Sequence, residues 1–363
     1  MKVLFITNIP SPYRIDFYNE LSRFVDLTVI FEARRVKGIR FNWNDDNLRF
    51  KAVFLSEGEI QEKKIDFKIL RYIRSKEYDY IFATNYSYYT ELIALLYMQL
   101  RKIPYCLEVD GALMRSESKL KFMLKKHLIS KASYYFSPSK ESDRFLIHYG
   151  ADKERINRYE FSSLWKREIS DEIIDDVEKS KIKQLLGLRN KTLILCVSQI
   201  IHRKGIDILL DALNGLDNDY QCVLVGEKPD EQYYKFIENN MNNNIIHLEF
   251  KDRNTLRKLY QAADVFVLPT RFDVWGLVIN EAMANGLPVI TTTGCVAGTE
   301  LVQDGYNGYL VPTEESHSLR EKMSVLIESR EKRKQMGENA IRTIQNYTIE
   351  QMVESHKRFL NVF

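Results

Sequence analysis

Residues 265–292 constrain the fold of this chain more than any other stretch. An apolar run of strand length (Val265, Phe266, Val267, Leu268) leads through PTRFDVW to Gly276. A helix-like segment follows, and Gly286 with Pro288 closes it before a second apolar run. Strand, helix and strand in so short a space is the unit of a parallel α/β sheet. The turn also carries chemistry, because a helix N-terminus offers unpaired N–H groups and the positive end of a dipole, which suit a phosphate. Two carboxylates bracket it, Asp273 and Glu281.

The same alternation runs through the chain twice. Strands are expected over residues 3–7, 27–31, 52–55, 80–84, 105–109 and 134–137, with helices such as 13–24 and 89–101 between them. A polar, highly charged stretch from 163 to 190 then reads as a linker plus an exposed helix. A second set of strands is expected over 192–198, 221–225, 245–248, 265–269, 288–292 and 308–311, with helices over 205–214, 233–240, 253–262, 278–285 and 318–344. The predicted architecture is α/β, with two doubly wound, Rossmann-like parallel-sheet domains facing a cleft. The domains are residues 1–165 and 191–345, with a linker at 166–190 and a terminal helix at 346–363. Ligands of open α/β sheets sit beyond the carboxyl ends of the strands, where most of the singled-out residues fall.

Composition excludes several classes. An apolar fraction of 45% with 28% charged residues belongs to a soluble globular chain. No apolar run is long enough to cross a bilayer, and MKVLFITNIP reads as a first buried strand, cut off by Thr7, Asn8 and Pro10, not as a signal peptide. The four cysteines (Cys106, Cys196, Cys222, Cys295) form no CxxC pair and read as reduced, buried thiols of a cytoplasmic protein. A dinucleotide oxidoreductase would need GxGxxG after a first strand, which neither half has. The tyrosines do not cluster with the cations, so nucleic acid is not an expected partner. Residues 1–165 carry 28 Lys/Arg against 21 Asp/Glu, whereas the remainder is net acidic.

Two further groups join the acidic pair. Eight residues of continuous helix span about 12 Å at ~1.5 Å per residue, farther than the roughly 5–9.5 Å of glycosidase carboxylates. Asp273 and Glu281 therefore suit gripping two ends of one long ligand, with sugar hydroxyls at Asp273, ribose hydroxyls at Glu281 and a diphosphate between. The competing reading makes Asp273 a helix cap and Glu281 a surface residue. After the strand at 192–198 stands SQIIHRKG, in which Arg203 and Lys204 precede a helix start at Gly205. Cations are disfavoured there by the dipole, and an anionic ligand would explain them. In GCVAGTELVQDGYNG, Thr299 and Glu300 could lie near the same ligand.

This half resembles the C-terminal domain of retaining GT-B glycosyltransferases of family 4 (glycosyltransferase group 1), of the surface-polysaccharide type. That family has an acid, seven intervening residues and a Glu, followed by an EAMAxGxPVI-like run. Here it stands as Asp273-x7-Glu281 and EAMANGLPVI, with Asp in place of the usual first Glu. The family's GR-xx-x-KG element matches at Lys204-Gly205, with Ser198-Gln199 replacing its Gly-Arg pair. The resemblance implies a donor site of Ser198, Arg203, Lys204, Trp275, Gly276, Leu277, Val278 and Glu281, with Asp273 catalytic. The usual glycine-rich loop after the first strand is NIPSPYR here, leaving Arg14 as an acceptor contact. Where the family commonly has a catalytic His stands Asp110, with Glu108 pointing the same way, and Asn85 and Tyr86 are further acceptor candidates. The implied activity is transfer of a hexose or N-acetylhexosamine, with retention, from a nucleotide-sugar (UDP preferred) to a saccharide acceptor. No cofactor or metal is implied.

Residues 115–131, RSESKLKFMLKKHLISK, hold six Lys/Arg and one acid. Leu120, Met123, Leu124 and Leu128 share a helical face, as in a helix lying on an anionic leaflet or one packed on its own sheet. The first option adds a lipid-linked acceptor and a peripheral position on the inner face of the cell membrane. Two alternatives stay open: a GT-B UDP-sugar epimerase and a non-catalytic nucleotide-sugar binder.

Overall fold

The computed structural model describes residues 1–36, 47–73, 77–217 and 219–362. The chain divides into two compact units, Met1–Ser163 with Thr348–Phe363, and Leu164–Tyr347.

In the first unit the order is β1 (Lys2–Thr7), α1 (Pro12–Leu21), β2 (Asp26–Phe31), β3 (Lys51–Phe54), β4 (Tyr80–Ala83), α2 (Tyr89–Leu100), β5 (Cys106–Glu108), α3 (Lys119–Ile129), β6 (Tyr134–Ser137), α4 (Lys140–His148) and β7 (Ile156–Arg158). The second unit runs α5 (Asp176–Leu185), β8 (Thr192–Val197), α6 (Ile206–Leu213), β9 (Tyr220–Val225), α7 (Glu231–Asn240), β10 (Ile245–Leu248), α8 (Arg253–Ala262), β11 (Val265–Leu268), α9 (Leu277–Ala284), β12 (Val289–Thr292), α10 (Val296–Leu301), β13 (Gly308–Val311), α11 (Ser316–Glu328) and α12 (Arg330–Ile344). The last helix, α13 (Ile349–Leu360), returns to the first unit.

The strands line up as 3-2-1-4-5-6-7 in one sheet and 10-9-8-11-12-13 in the other. Every neighbouring pair is parallel. Parallel strands covered on both faces need continuous apolar runs rather than alternation, and Val265, Phe266, Val267 and Leu268 are all fully buried. Strand order reverses between β1 and β4 and again between β8 and β11, which is where a doubly wound sheet opens a crevice at its carboxyl edge.

Twelve expected strands appear where alternation placed them; β7 and α10 were not expected. Residues 318–344 form two helices, because Ser329 leaves the helical conformation and its hydroxyl accepts from the Lys332 N–H at 3.3 Å, capping α12. The stretch read as a linker lies in the second unit. Its α5 is held there by Lys183 Nζ, which donates 2.7 Å to Asp264 Oδ2, and by Lys179 Nζ at 3.2 Å from Oδ1. Helix α13 joins the first unit because Ile349, Met352, Val353, His356 and Leu360 give it one buried face.

Candidate functional site

In the second unit the site is built on the two loops that leave β8 and β11, side by side at the strand reversal. The first loop ends in a short 3-10 turn, His202–Lys204, and passes into α6 through Gly205 at φ 69°. A Cβ on Gly205 would stand 2.1 Å from the Pro269 carbonyl oxygen, so only glycine lets the loops touch. Contact between them is then fixed by Arg271, whose guanidinium donates 2.8 and 2.7 Å to the two oxygens of Asp207 and 2.6 Å to the His202 carbonyl. Neither Arg271 nor Asp207 was singled out from sequence. Their only signal was position, one inside PTRFD and the other two residues beyond Lys204-Gly205.

Asp273 is not a helix cap. Gly276, at φ 101°, occupies that position, and Asp273 is held in extended backbone beside Cys295. Its N–H donates 2.8 Å to the Gly294 carbonyl. One carboxylate oxygen receives Lys204 Nζ, and the other lies 3.6 Å from Arg203 Nη1. Both expected phosphate-binding cations thus converge on the expected sugar-binding acid. Arg203 also donates 2.7 Å to the Phe272 carbonyl, and its side chain is 43% exposed.

Gly276, Leu277 and Val278 head α9 and are partly buried, with backbone at the helix N-terminus. Ser198 closes β8 with its N–H on the Val225 carbonyl at 2.9 Å. Glu281 is not a solvated surface residue. Tyr260, buried on α8, donates its hydroxyl to Glu281 Oε2 at 2.8 Å. Burial raises the Glu281 carboxyl above its ordinary value, with the Tyr260 hydrogen bond and the nearby Arg253 charge opposing. Trp275 departs from expectation. It is 2% exposed and its indole N–H donates 2.9 Å to Asn280 Oδ1, so the side chain serves the core, while its carbonyl oxygen accepts the Ala297 N–H at 2.9 Å. Thr299 and Glu300 fall on α10. A cavity of about 620 Å³ in this unit is lined by Asp264 and Pro288, which precede β11 and β12, and so lies at the opposite, amino edge of the sheet.

In the first unit, residues following β1, β4 and β5 collect in the same relative place. Arg14 is a correction to the reading of an acceptor contact: it is 2% exposed, because its guanidinium bridges Glu108 and Asp110. Glu108 and Asp110 do point the same way, as strand alternation requires. Glu108 is fully buried, whereas the Asp110 side chain keeps 30% exposure. Tyr13 donates its hydroxyl 2.9 Å to Asp110 Oδ2. Burial raises the Asp110 carboxyl, and Arg14 opposes that rise. Asn85 accepts the Ser87 N–H at 2.8 Å in a local turn, and Tyr86 packs on the apolar core near Phe145. Beneath the first turn of α2, Glu32 and Glu91 are buried together, with the Glu91 N–H donating 3.0 Å to Glu32 Oε1. Neither Glu91 carboxylate oxygen has a hydrogen-bond partner among the described residues. Burial raises both carboxyls, Glu32 to about 7.

Helix α3 does not pack its whole apolar face inward. Leu128 and Ile129 are buried, but Leu120 is 79% exposed, Met123 66% and Leu124 47%. No described helix is long and apolar enough to cross a membrane.

Residues 178–343 match the family model for glycosyl transferases group 1. Over 149 residues the chain is 37% identical to an uncharacterized glycosyltransferase of Methanocaldococcus jannaschii, covering 40% of this chain and 41% of that one. It is 24% identical over 176 residues to the N,N'-diacetylbacillosaminyl-diphospho-undecaprenol alpha-1,3-N-acetylgalactosaminyltransferase of Campylobacter jejuni, covering 48% and 46%. The chain spans less than half the length of each of these relatives. In fold it is similar to Anabaena HepE in complex with UDP, with a TM-score of 0.82 at 20% identity, over 99% of this chain and 100% of that one. The chain thus resembles the GT-B glycosyltransferases of group 1, with two Rossmann-like parallel-sheet domains.

Proposed function

We propose that this protein is a retaining glycosyltransferase that moves a hexosyl or N-acetylhexosaminyl group from a UDP-sugar to a lipid-linked saccharide during surface-polysaccharide assembly. The observation that carries the reading is the convergence of Lys204 and Arg203 on Asp273, at the head of α9, with Glu281 farther along that helix. Asp273 pairs with both cations, and its single charge offsets only one of them, which leaves a net positive charge for an anion. A diphosphate would take over Lys204 and Arg203 and free Asp273 for sugar hydroxyls, while the α9 amides add donors. Glu281, with one oxygen held by Tyr260, has the other for ribose hydroxyls.

In a same-face displacement the bond from the anomeric carbon to the diphosphate oxygen breaks. The acceptor oxygen bonds to that carbon on the same side, and its proton passes to the departing oxygen. Lys204 and Arg203 stabilise the charge on that leaving group, and no protein-bound metal or cofactor enters the scheme. Asp110 is the acidic group assigned to the acceptor unit, together with Asn85 and Tyr86. The UDP assignment follows the UDP bound by Anabaena HepE. The lipid carrier follows the undecaprenol in the name of the Campylobacter relative and the exposed apolar, lysine-rich α3, which suits the inner face of the cell membrane.

The test is thermal unfolding with UDP, GDP, ADP, CMP and their sugars, for the wild type and Glu281→Ala. A nucleotide at about 100 times its Kd stabilises by about 2.7 kcal/mol, so UDP should raise the Tm and the rise should vanish in the variant. No response of the wild type to any nucleotide would overturn the reading. Interconversion of the sugar without an acceptor would turn it into an epimerase.

A further inference from the structure

The buried charges behind Asp110 do not end at Arg14. Glu108 Oε1 receives Arg14 Nη1 at 2.5 Å, and Glu108 Oε2 lies 3.0 Å from His356 Nε2. His356 comes from α13, the helix that returns to this unit after residues 164–347. Its other ring nitrogen, Nδ1, lies 2.8 Å from the Met352 carbonyl oxygen. A backbone carbonyl can only accept. Glu108 also accepts, because the Arg14 guanidinium that donates to its other oxygen favours the ionised carboxylate against burial. With an acceptor facing each nitrogen, both must donate.

The surroundings favour the same state. His356 and Glu108 are fully buried and Arg14 nearly so. Arg14, Glu108 and Asp110 alone would leave a net negative charge in a largely buried place, which is costly; a second cation closes the set at zero. Aromatic rings ring the imidazole: Phe136 stacks at 4.7 Å and 22°, Phe17 lies at 4.7 Å and Tyr159 at 5.5 Å. Such faces attract a cation.

We propose that His356 is a positioning residue, a buried imidazolium that fixes Glu108, through Glu108 the Arg14 guanidinium, and through Arg14 the direction of the Asp110 carboxylate. It does not touch substrate. The consequence for turnover rests on the glycosyltransferase reading above; the protonation state does not.

Two experiments separate them. The first is a two-bond ¹H–¹⁵N spectrum of ¹⁵N-histidine-labelled wild-type protein at pH 7.5, with His356→Gln used for assignment. Both ring nitrogens of His356 should resonate as protonated; an unprotonated one overturns the proposal. This needs no ligand and no turnover; if His356→Gln does not fold, the other five histidines are assigned by their own substitutions and His356 is the signal left over. The second is steady-state transfer by His356→Gln, which keeps an amide donor toward Glu108 but removes the charge. We expect kcat to fall at least tenfold with the donor KM and the UDP-induced Tm rise unchanged. Wild-type kcat in a folded His356→Gln refutes the positioning role, and so does a donor KM that rises in step. If the wild type shows neither a nucleotide response nor transfer, it is the functional reading that fails, and the spectrum still decides the state of His356.

Discussion

Glu32→Gln should make the first unit more stable at alkaline pH, although it removes a charged side chain. Glu32 is 7% exposed beside the fully buried Glu91, and burial lifts its carboxyl from 4.5 to about 7. The folded protein therefore binds more protons than the unfolded chain between those two values. Stability is fully present below about 4.5 and falls as pH rises through about 7, since the slope follows the difference in bound protons. At ~1.4 kcal/mol per pKa unit the loss amounts to about 3 kcal/mol above pH 8. Glutamine retains the oxygen that accepts the Glu91 N–H and cannot ionise. Wild type and variant should be equal near pH 4 and diverge by about 2–3 kcal/mol at pH 8.5. The assay is urea unfolding at a series of pH values, followed by hydrogen exchange in peptides from β1 and α2, so that the first unit is read separately. Curves that stay parallel from pH 4 to 8.5 would refute the argument.

Gly205→Ala should cost the second unit more than about 2 kcal/mol, because the added methyl meets the Pro269 carbonyl and the backbone has positive φ; urea unfolding with unchanged midpoint would contradict this. The double variant Leu120→Ser/Met123→Ser should weaken binding to phosphatidylglycerol vesicles at least tenfold in flotation, each buried side chain being worth roughly 1.5 kcal/mol or more, and equal flotation would remove α3 from the membrane surface.

The sheets were legible because each strand is a short apolar run between turn residues, and burial on both faces leaves nothing else for residues such as Leu193, Ile194 and Leu195 to do. The pairing of Asp273 with Lys204 was half legible. Spacing marked both residues, but their meeting depends on β8 and β11 being neighbours, which strand order decides. The burial of the Trp275 indole was not legible, since motif position says nothing about where an indole points; Asn280, five residues on, takes its N–H into the core. Arg14 and Glu108 were seen, and their burial was not, because it rests on contacts across 94 residues of chain. His356 gave no signal at all. It stands on an ordinary amphipathic helix, and its partner is 248 residues away.

The return of α13 also sets an order of events during synthesis. The polypeptide leaves the first unit at Ser163 and rejoins it at Thr348. Translation of the intervening stretch takes roughly 10–40 s at ~5–20 residues/s. All seven strands of the first sheet emerge from the ribosome before it, yet the groove along α1 stays uncovered until α13 follows. For that interval Phe17 and Phe136 lack their imidazole neighbour, and Glu108 has one cation instead of two. The second unit, made from one continuous segment, can fold while the first waits. Completion of the nascent first unit therefore waits for α13 to emerge, and a ribosome stalled in the second unit would hold an apolar, chaperone-accessible seam open on the first.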